Sequence, residues 1–152
     1  MTMLLVVCLG AVLSLPVNAT FTLAERVGNP PRAFFRFSTS VAKYTIRYDG
    51  FVEVYANNNM NHLRKRGFFL SMTPKGRLEN VYFLEHEGDL WMRYDLLDGR
   101  AYLMRMEQRS RRQRWVTPLN DSSGEAPVIL GDKVLIGTTE IRKSDGRVVN
   151  QD

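Results

Sequence analysis

Cysteine and histidine are scarce in this chain of 152 residues: Cys8 is the only cysteine, and the histidines are His62 and His86. A single cysteine excludes an intramolecular disulfide and a zinc site built from several thiolates. The sequence also lacks a glycine-rich phosphate loop and the Gly-x-Ser-x-Gly context of a serine nucleophile. These absences favour a binding protein over an enzyme, with no catalytic residue, metal or cofactor.

The one grouping that resembles a metal site surrounds His86, which lies among Glu85, Glu87 and Asp89. Alternate side chains of a strand point to opposite faces, so Glu85 and Glu87 should point away from His86. We therefore interpret this segment as the solvated end of a hairpin.

No stretch shows the apolar periodicity of an amphipathic helix. Short apolar or alternating runs are separated instead by turn residues such as Asp49-Gly50 and Asp98-Gly99, a pattern typical of antiparallel hairpins. The predicted strands lie in the ranges 33–37, 43–48, 51–55, 68–72, 80–84, 90–94, 101–106 and 128–143. The predicted fold is all-β, with antiparallel hairpins forming a β-trefoil or a small barrel-like meander. Because Asp-Gly recurs at 49–50, 98–99 and 145–146, an incomplete propeller is the lesser alternative.

The N-terminal residues 3–17 are almost wholly apolar and lead into Val17-Asn18-Ala19, which suits signal peptidase. We expect a signal peptide over residues 1–19 and a secreted protein, periplasmic in a bacterium; the alternative is a buried N-terminal strand or helix. The run is shorter than the roughly 18 residues of a spanning helix, so stable membrane insertion is not expected. Residues 20–32 should form an extended, loosely packed leader, and residues 33–152 a single all-β domain.

Positive charge is concentrated in two groups, although the net charge of the chain is only +5. A guanidinium fork bonds two sulfate or phosphate oxygens at once, which favours a polyanionic partner. In a secreted protein this partner would be heparan sulfate or another polyanion rather than nucleic acid. The alternatives are a solvated loop, or a dibasic processing site at 109–112. The predicted heparin-binding residues are Arg64, Lys65, Arg66, Arg105, Arg109, Arg111, Arg112 and Arg114.

The segment Phe69–Leu78, FLSMTPKGRL, resembles the aromatic-Leu-Ala-Met-x-x-x-Gly-Arg-Leu hairpin of the fibroblast growth factors. The segment Val81–Glu85 is similar to that family's aromatic-x-Glu strand, and Ala101–Leu103 to the strand before its basic loop. The resemblance covers about residues 43–115. It implies a β-trefoil, heparan sulfate binding by the arginines after residue 105, and a receptor-binding face with Glu85 and Tyr94.

The sequence therefore favours a secreted signalling ligand that binds heparan sulfate and a cell-surface receptor. The alternative is a secreted or periplasmic β-rich binding or inhibitor domain whose partner is a protein or the cell envelope. The two hypotheses make different predictions about the clustered arginines. A heparin-binding ligand needs arginines that are not neutralised by acidic side chains of the same chain, whereas a protein-binding domain does not.

Overall fold

The structure, a computed structural model, describes residues 18–56, 66–120 and 124–150. Within these residues the chain forms fifteen β-strands, numbered β1 to β15 in chain order, and no helix. Antiparallel pairing arranges the strands in three sheets of five. The prediction of an all-β fold built from antiparallel hairpins is confirmed. None of the three sheets closes into a barrel, and the trefoil topology stays a prediction.

The N-terminal sheet contains the hairpin predicted around Asp49-Gly50, which joins its third and fourth strands. Gly50 adopts a φ of 87°, a conformation that glycine adopts without steric cost. Along the sheet the strand order follows the chain. The strands are β3 (Glu25–Val27), β4 (Phe34–Ser38), β5 (Ala42–Ile46), β6 (Phe51–Ala56) and β7 (Arg66–Phe69).

The central sheet is the largest and provides most of the core. Its order is β11-β10-β9-β8-β2. All eight residues of β9 are buried, because other sheets cover both faces of the central sheet. The strands are β2 (Thr22–Leu23), β8 (Leu78–His86), β9 (Asp89–Leu96), β10 (Ala101–Glu107) and β11 (Arg112–Leu119).

The C-terminal sheet has the order β1-β12-β13-β14-β15 and ends in a strand whose three residues are all exposed. Its strands are short, and the hairpins predicted for residues 128–147 form three of them. The strands are β1 (Asn18–Thr20), β12 (Val128–Leu130), β13 (Lys133–Ile136), β14 (Thr139–Arg142) and β15 (Val148–Asn150).

Two hydrophobic cores separate the three layers. The first lies between the N-terminal and central sheets and includes Tyr44 and Met92, while the second lies between the central and C-terminal sheets and includes Trp91 and Ile141. Met92 and Trp91 are neighbours on β9 and enter different cores, as strand alternation requires. Neither core joins the two outer sheets within the described residues, so the sheets are stacked rather than arranged around an axis as in a propeller.

The N-terminal segment ties the layers together, because β1, β2 and β3 each join a different sheet. Phe21 and Ala24, which lie between these strands, are each only 3% exposed. Residues 20–27 are therefore paired and packed into the fold rather than loosely attached, whereas residues 28–32 are mostly exposed and form no strand. Residues 1–17, with most of the predicted signal peptide and Cys8, lie outside the described residues, and the predicted cleavage before Thr20 falls within β1.

The opposite side of the stack presents the last strand of each sheet, β7, β11 and β15. The Ser71 hydroxyl, just after β7, donates to Gln113 Oε1 of β11 at 3.0 Å. On the other flank of β11, the Thr117 hydroxyl donates to the carbonyl of Gly146, which precedes β15. The three edge strands therefore lie side by side, and the arginine-rich hairpin β10–β11 is in the middle of this open edge.

Candidate functional site

The predicted arginine cluster lies on the hairpin formed by β10 and β11. The two strands are antiparallel, and β10 also pairs with β9. Residues 108–111 form the turn between them. The register contains a β-bulge: Arg105 faces Trp115 and Met106 faces Gln113, so Arg114 has no opposite residue. A bulge redirects the side chain of the extra residue, and here that residue is an arginine.

Two of the five arginines are neutralised by acidic side chains of this chain. Asp89 is 3% exposed, and its Oδ2 accepts from Arg105 Nε at 2.6 Å and from Arg114 Nε at 3.1 Å. Arg114 also pairs with Glu107, at 3.0 Å between Nη2 and Oε2. The structure therefore assigns Arg105 and Arg114 to internal ion pairs, which corrects their grouping with the arginines that are available to an anion.

The other three arginines, Arg109, Arg111 and Arg112, form no ion pair with any acidic group of the described residues. Arg109 and Arg112 are exposed. Arg111 is partly buried, adopts a φ of 58°, and has a buried Nε without a hydrogen-bond partner within the described residues. An unpaired buried donor costs free energy, so the Arg111 side chain is held at an energetic cost.

Gln108 anchors this turn to the N-terminal sheet. Its Oε1 accepts from the hydroxyls of Thr39 at 2.8 Å and Tyr44 at 2.9 Å, while its Nε2 donates to Glu85 Oε2 at 2.6 Å. Burial raises the pKa of the Tyr44 hydroxyl to about 12, so this group remains a donor at neutral pH. The amide is 3% exposed. Gln108 is thus hydrogen-bonded to Thr39 and Tyr44 on one side and to Glu85 on the other, so the backbone of the turn that carries the arginines is fixed.

Glu85 and Tyr94, the residues that the family resemblance assigned to a receptor, both have internal partners. Tyr94 is fully buried in the first core, and its hydroxyl donates to the carbonyl of Ser71 at 2.5 Å. Burial also raises its pKa. Glu85 accepts from the backbone and the hydroxyl of Ser40, at 2.9 and 2.7 Å, and from Gln108. A receptor face that contains Tyr94 is therefore contradicted by its burial.

The second predicted basic group lies at the border of the described residues. Arg64 and Lys65 are outside them. Arg66 begins β7 and pairs with Val54, but its side chain is not part of the described structure. Since β7 and β11 are edge strands on the same side of the stack, the backbone places Arg66 on the side that carries the arginine turn.

A cleft of about 440 Å³ lies beside the turn, between Ser40-Val41 and the β8–β9 turn. Its charged lining consists of four carboxylates, those of Glu85, Glu87, Asp89 and Glu107, together with Arg109 and Arg114. The carboxylates are occupied by internal donors, as for Glu87, whose pKa is lowered by its hydrogen bond from Lys143 and the charge of that lysine. The cleft is therefore a network of hydrogen bonds and ion pairs, and Arg109 is the member of its lining without an acidic partner among the described residues.

The expected separation of His86 from Glu87 is wrong: His86 Nε2 lies 3.0 Å from Glu87 Oε1. Strand alternation fails here because Glu87 is already in the turn after β8, with a φ of 54°. In the described ranges no group of three or more His, Cys, Asp or Glu side chains could hold a metal ion. The same ranges contain no helix long and apolar enough to cross a membrane.

No protein-family model matches the chain, and no similar protein was found among curated proteins or among solved structures. The likeness to fibroblast growth factors stays a prediction that depends on the residues quoted above.

Proposed function

We propose that this protein is a secreted binding module that uses the turn of the β10–β11 hairpin to bind a sulfated glycan such as heparan sulfate. The supporting observation is the division of the arginines: Arg109 and Arg111 lie in one anchored turn, Arg112 begins β11 directly after it, and all three lack acidic partners among the described residues. Unmatched like charges repel each other, and a polyanion would relieve that repulsion.

The signalling half of the hypothesis receives no comparable support. Tyr94 is internal, and the Glu85 carboxylate is held by Ser40 and Gln108. The proposal is therefore limited to glycan binding and secretion, and it does not include activation of a receptor.

Heparin-affinity chromatography tests the proposal with two variants of equal charge. The first replaces Arg109, Arg111 and Arg112 with Gln. The control replaces three ion-paired and exposed arginines, Arg36, Arg142 and Arg147, with Gln. We expect the first variant to elute at clearly lower salt, with a salt dependence reduced by roughly one ion per lost contact. Equal elution of the two variants would show a response to net charge alone and would sink the proposal.

The second candidate is a protein-binding domain, which the exposed edge strand β15 favours. All three of its residues are exposed, with Val148 at 42% and Val149 at 40%. An added strand from a partner would bind mainly through backbone hydrogen bonds, which salt weakens little. Binding of a partner that persists at salt concentrations that release heparin would favour this candidate.

A further inference from the structure

A second cleft, of about 330 Å³, lies at the open edge of the N-terminal sheet. One wall is the turn with Tyr48 and Asp49, and the other is the segment from Phe69 to Arg77. It shares no lining residue with the cleft beside the arginine turn. None of its side chains belongs to the glycan contact proposed for the arginine turn.

Backbone hydrogen bonds hold the two walls together. Leu70 N donates to the carbonyl of Gly50 at 2.9 Å, and Leu78 N donates to the carbonyl of Tyr48 at 2.9 Å. The segment between them is also fixed from the central sheet, because Tyr94 donates to the carbonyl of Ser71. The cleft is therefore preformed, and its walls would lose little conformational entropy when a ligand binds.

Two cations in this cleft are positioned by aromatic rings and are not neutralised by a carboxylate of the described residues. Lys75 Nζ lies 4.5 Å from the centre of the Phe69 ring, and the Arg77 guanidinium lies 5.4 Å from the centre of the Tyr48 ring. Neither forms an ion pair within the described residues, whereas the only carboxylate of the lining, Asp49, pairs with Arg47 at 3.3 Å. Contact with an aromatic ring orders a cation but leaves its charge available to an anion.

Phe69 gives the same cleft an apolar surface. Its ring is 48% exposed although it packs edge-to-face on Phe51, with the ring centres 4.9 Å apart. Covering an exposed aromatic ring with C–H groups of a ligand removes apolar area from water. Two unmatched cations beside such a ring suit a ligand that has both anionic groups and C–H faces, which describes a sulfated or carboxylated sugar.

We propose that this cleft is a second anion-binding site, in which Lys75 and Arg77 hold the sulfate or carboxylate of a sugar ring that lies against Phe69. The inference rests on the proposed function for the identity of the polymer, since the same glycan would occupy both sites. Ser71 Oγ contacts Gln113 Oε1 at 3.0 Å, directly beside Arg112. From Ser71, Lys75 is at most about 14 Å along the chain, so one glycan would pass from the arginine turn to this cleft.

Amide NMR of the full protein, titrated with a heparin disaccharide, tests the two sites separately. We expect shifts around Gly76 and Arg77 and a second group of shifts around residues 109–112. Shifts at 109–112 alone would overturn the second site and leave the proposed function standing. Shifts at the cleft alone would support the second site and contradict the proposed function, and no shifts at either would contradict both.

Variants of the cleft give the affinity change and its control. Lys75→Gln with Arg77→Gln should weaken disaccharide binding at the cleft about fivefold, as expected for two exposed charge contacts. The matched control, Lys43→Gln with Arg26→Gln, removes two exposed cations elsewhere and should leave that affinity unchanged. Phe69→Leu should weaken binding of the disaccharide more than binding of inorganic sulfate, because both ligands lose the ordering of Lys75 but only the disaccharide also loses the aromatic surface. Equal losses in the cleft variant and the control, or equal affinity for sulfate and disaccharide, would overturn the proposal.

Discussion

The strands and the turn of the β10–β11 hairpin both carry arginines, but in opposite states of charge pairing. On the strands, Arg105 and Arg114 share the buried carboxylate of Asp89, whereas Arg109 in the turn and Arg112 directly after it are exposed and without an acidic partner among the described residues. The difference comes from register, because β9 places Asp89 opposite Glu107 and the bulge redirects Arg114 toward it. Strand pairing thus divides a run of arginines into those that form internal ion pairs and those that are available to an anionic ligand.

Asp89→Asn should have the largest effect on this division. The variant removes the negative charge that offsets two guanidiniums, one of them with a side chain only 18% exposed. Breaking such a buried pair costs about 3 kcal/mol of unfolding free energy, measurable by urea denaturation. At the same time Arg105 loses its acidic partner and Arg114 keeps only Glu107, so retention on heparin should increase.

The control for this variant is Asp98→Asn. The side chain of Asp98 is 52% exposed and pairs with Arg100. An exposed pair contributes at most about 1 kcal/mol. If the two variants lost equal stability, Asp89 would not be the residue that distinguishes the arginines of the strands from those of the turn.

Gly146→Ala should have the next largest effect, because it disturbs the contact between β11 and the C-terminal sheet. Gly146 has a φ of 74°, and an added Cβ would overlap the Trp115 ring and Thr117 Oγ1. We expect a loss of about 2–3 kcal/mol from backbone strain and overpacking together. Gly99→Ala is the matched control, since its φ is 94° and nothing lies within 4 Å of the added Cβ. It should lose only about 1 kcal/mol from the backbone term. Equal losses would mean that the Trp115 contact is unimportant.

The local part of the fold could be predicted from the sequence, because hairpins are determined by short-range signals. Asp49-Gly50 marks the β5–β6 turn, and Asp98-Gly99 marks the turn between β9 and β10. The stacking of the sheets had no such signal. β1 pairs with β12, more than a hundred residues away, and no residue of either strand specifies the other.

The candidate site was predictable only in part, for a related reason. Arg93, Asp95 and Asp89 alternate with apolar residues along β9, a pattern that indicates a half-exposed strand. All three are buried, and Arg93 Nε pairs with Asp95 Oδ1 at 2.9 Å, because a third layer covers the face that the pattern assigns to solvent. The bulge at Arg114 likewise arises from pairing between strands and leaves no mark in the sequence.

Glu85→Gln should have the smallest effect, and it tests how firmly the turn is held. Burial alone would raise the pKa of the Glu85 carboxyl, but hydrogen bonds from Ser40 and Gln108 outweigh it, so the pKa lies below its ordinary value. A lowered folded-state pKa stabilises the fold above the unfolded value of about 4.3, and this contribution is lost as the pH falls through the folded pKa. The stability difference between the unmodified protein and Glu85→Gln should therefore be constant near neutral pH and shrink below about pH 4.3.

Urea unfolding at several pH values between neutrality and the acid transition measures that difference. Ser40→Ala removes one of the hydrogen bonds that lower the pKa while it leaves the carboxylate in place. It should reduce the acid dependence without abolishing it, because the backbone of Ser40 and the amide of Gln108 still donate. If Glu85→Gln and the unmodified protein lost stability in parallel throughout the acid range, the carboxylate would not be hydrogen-bonded as described. The arginine turn would then lack one of the contacts that hold it, and its arginines would be no better ordered than those of a solvated loop.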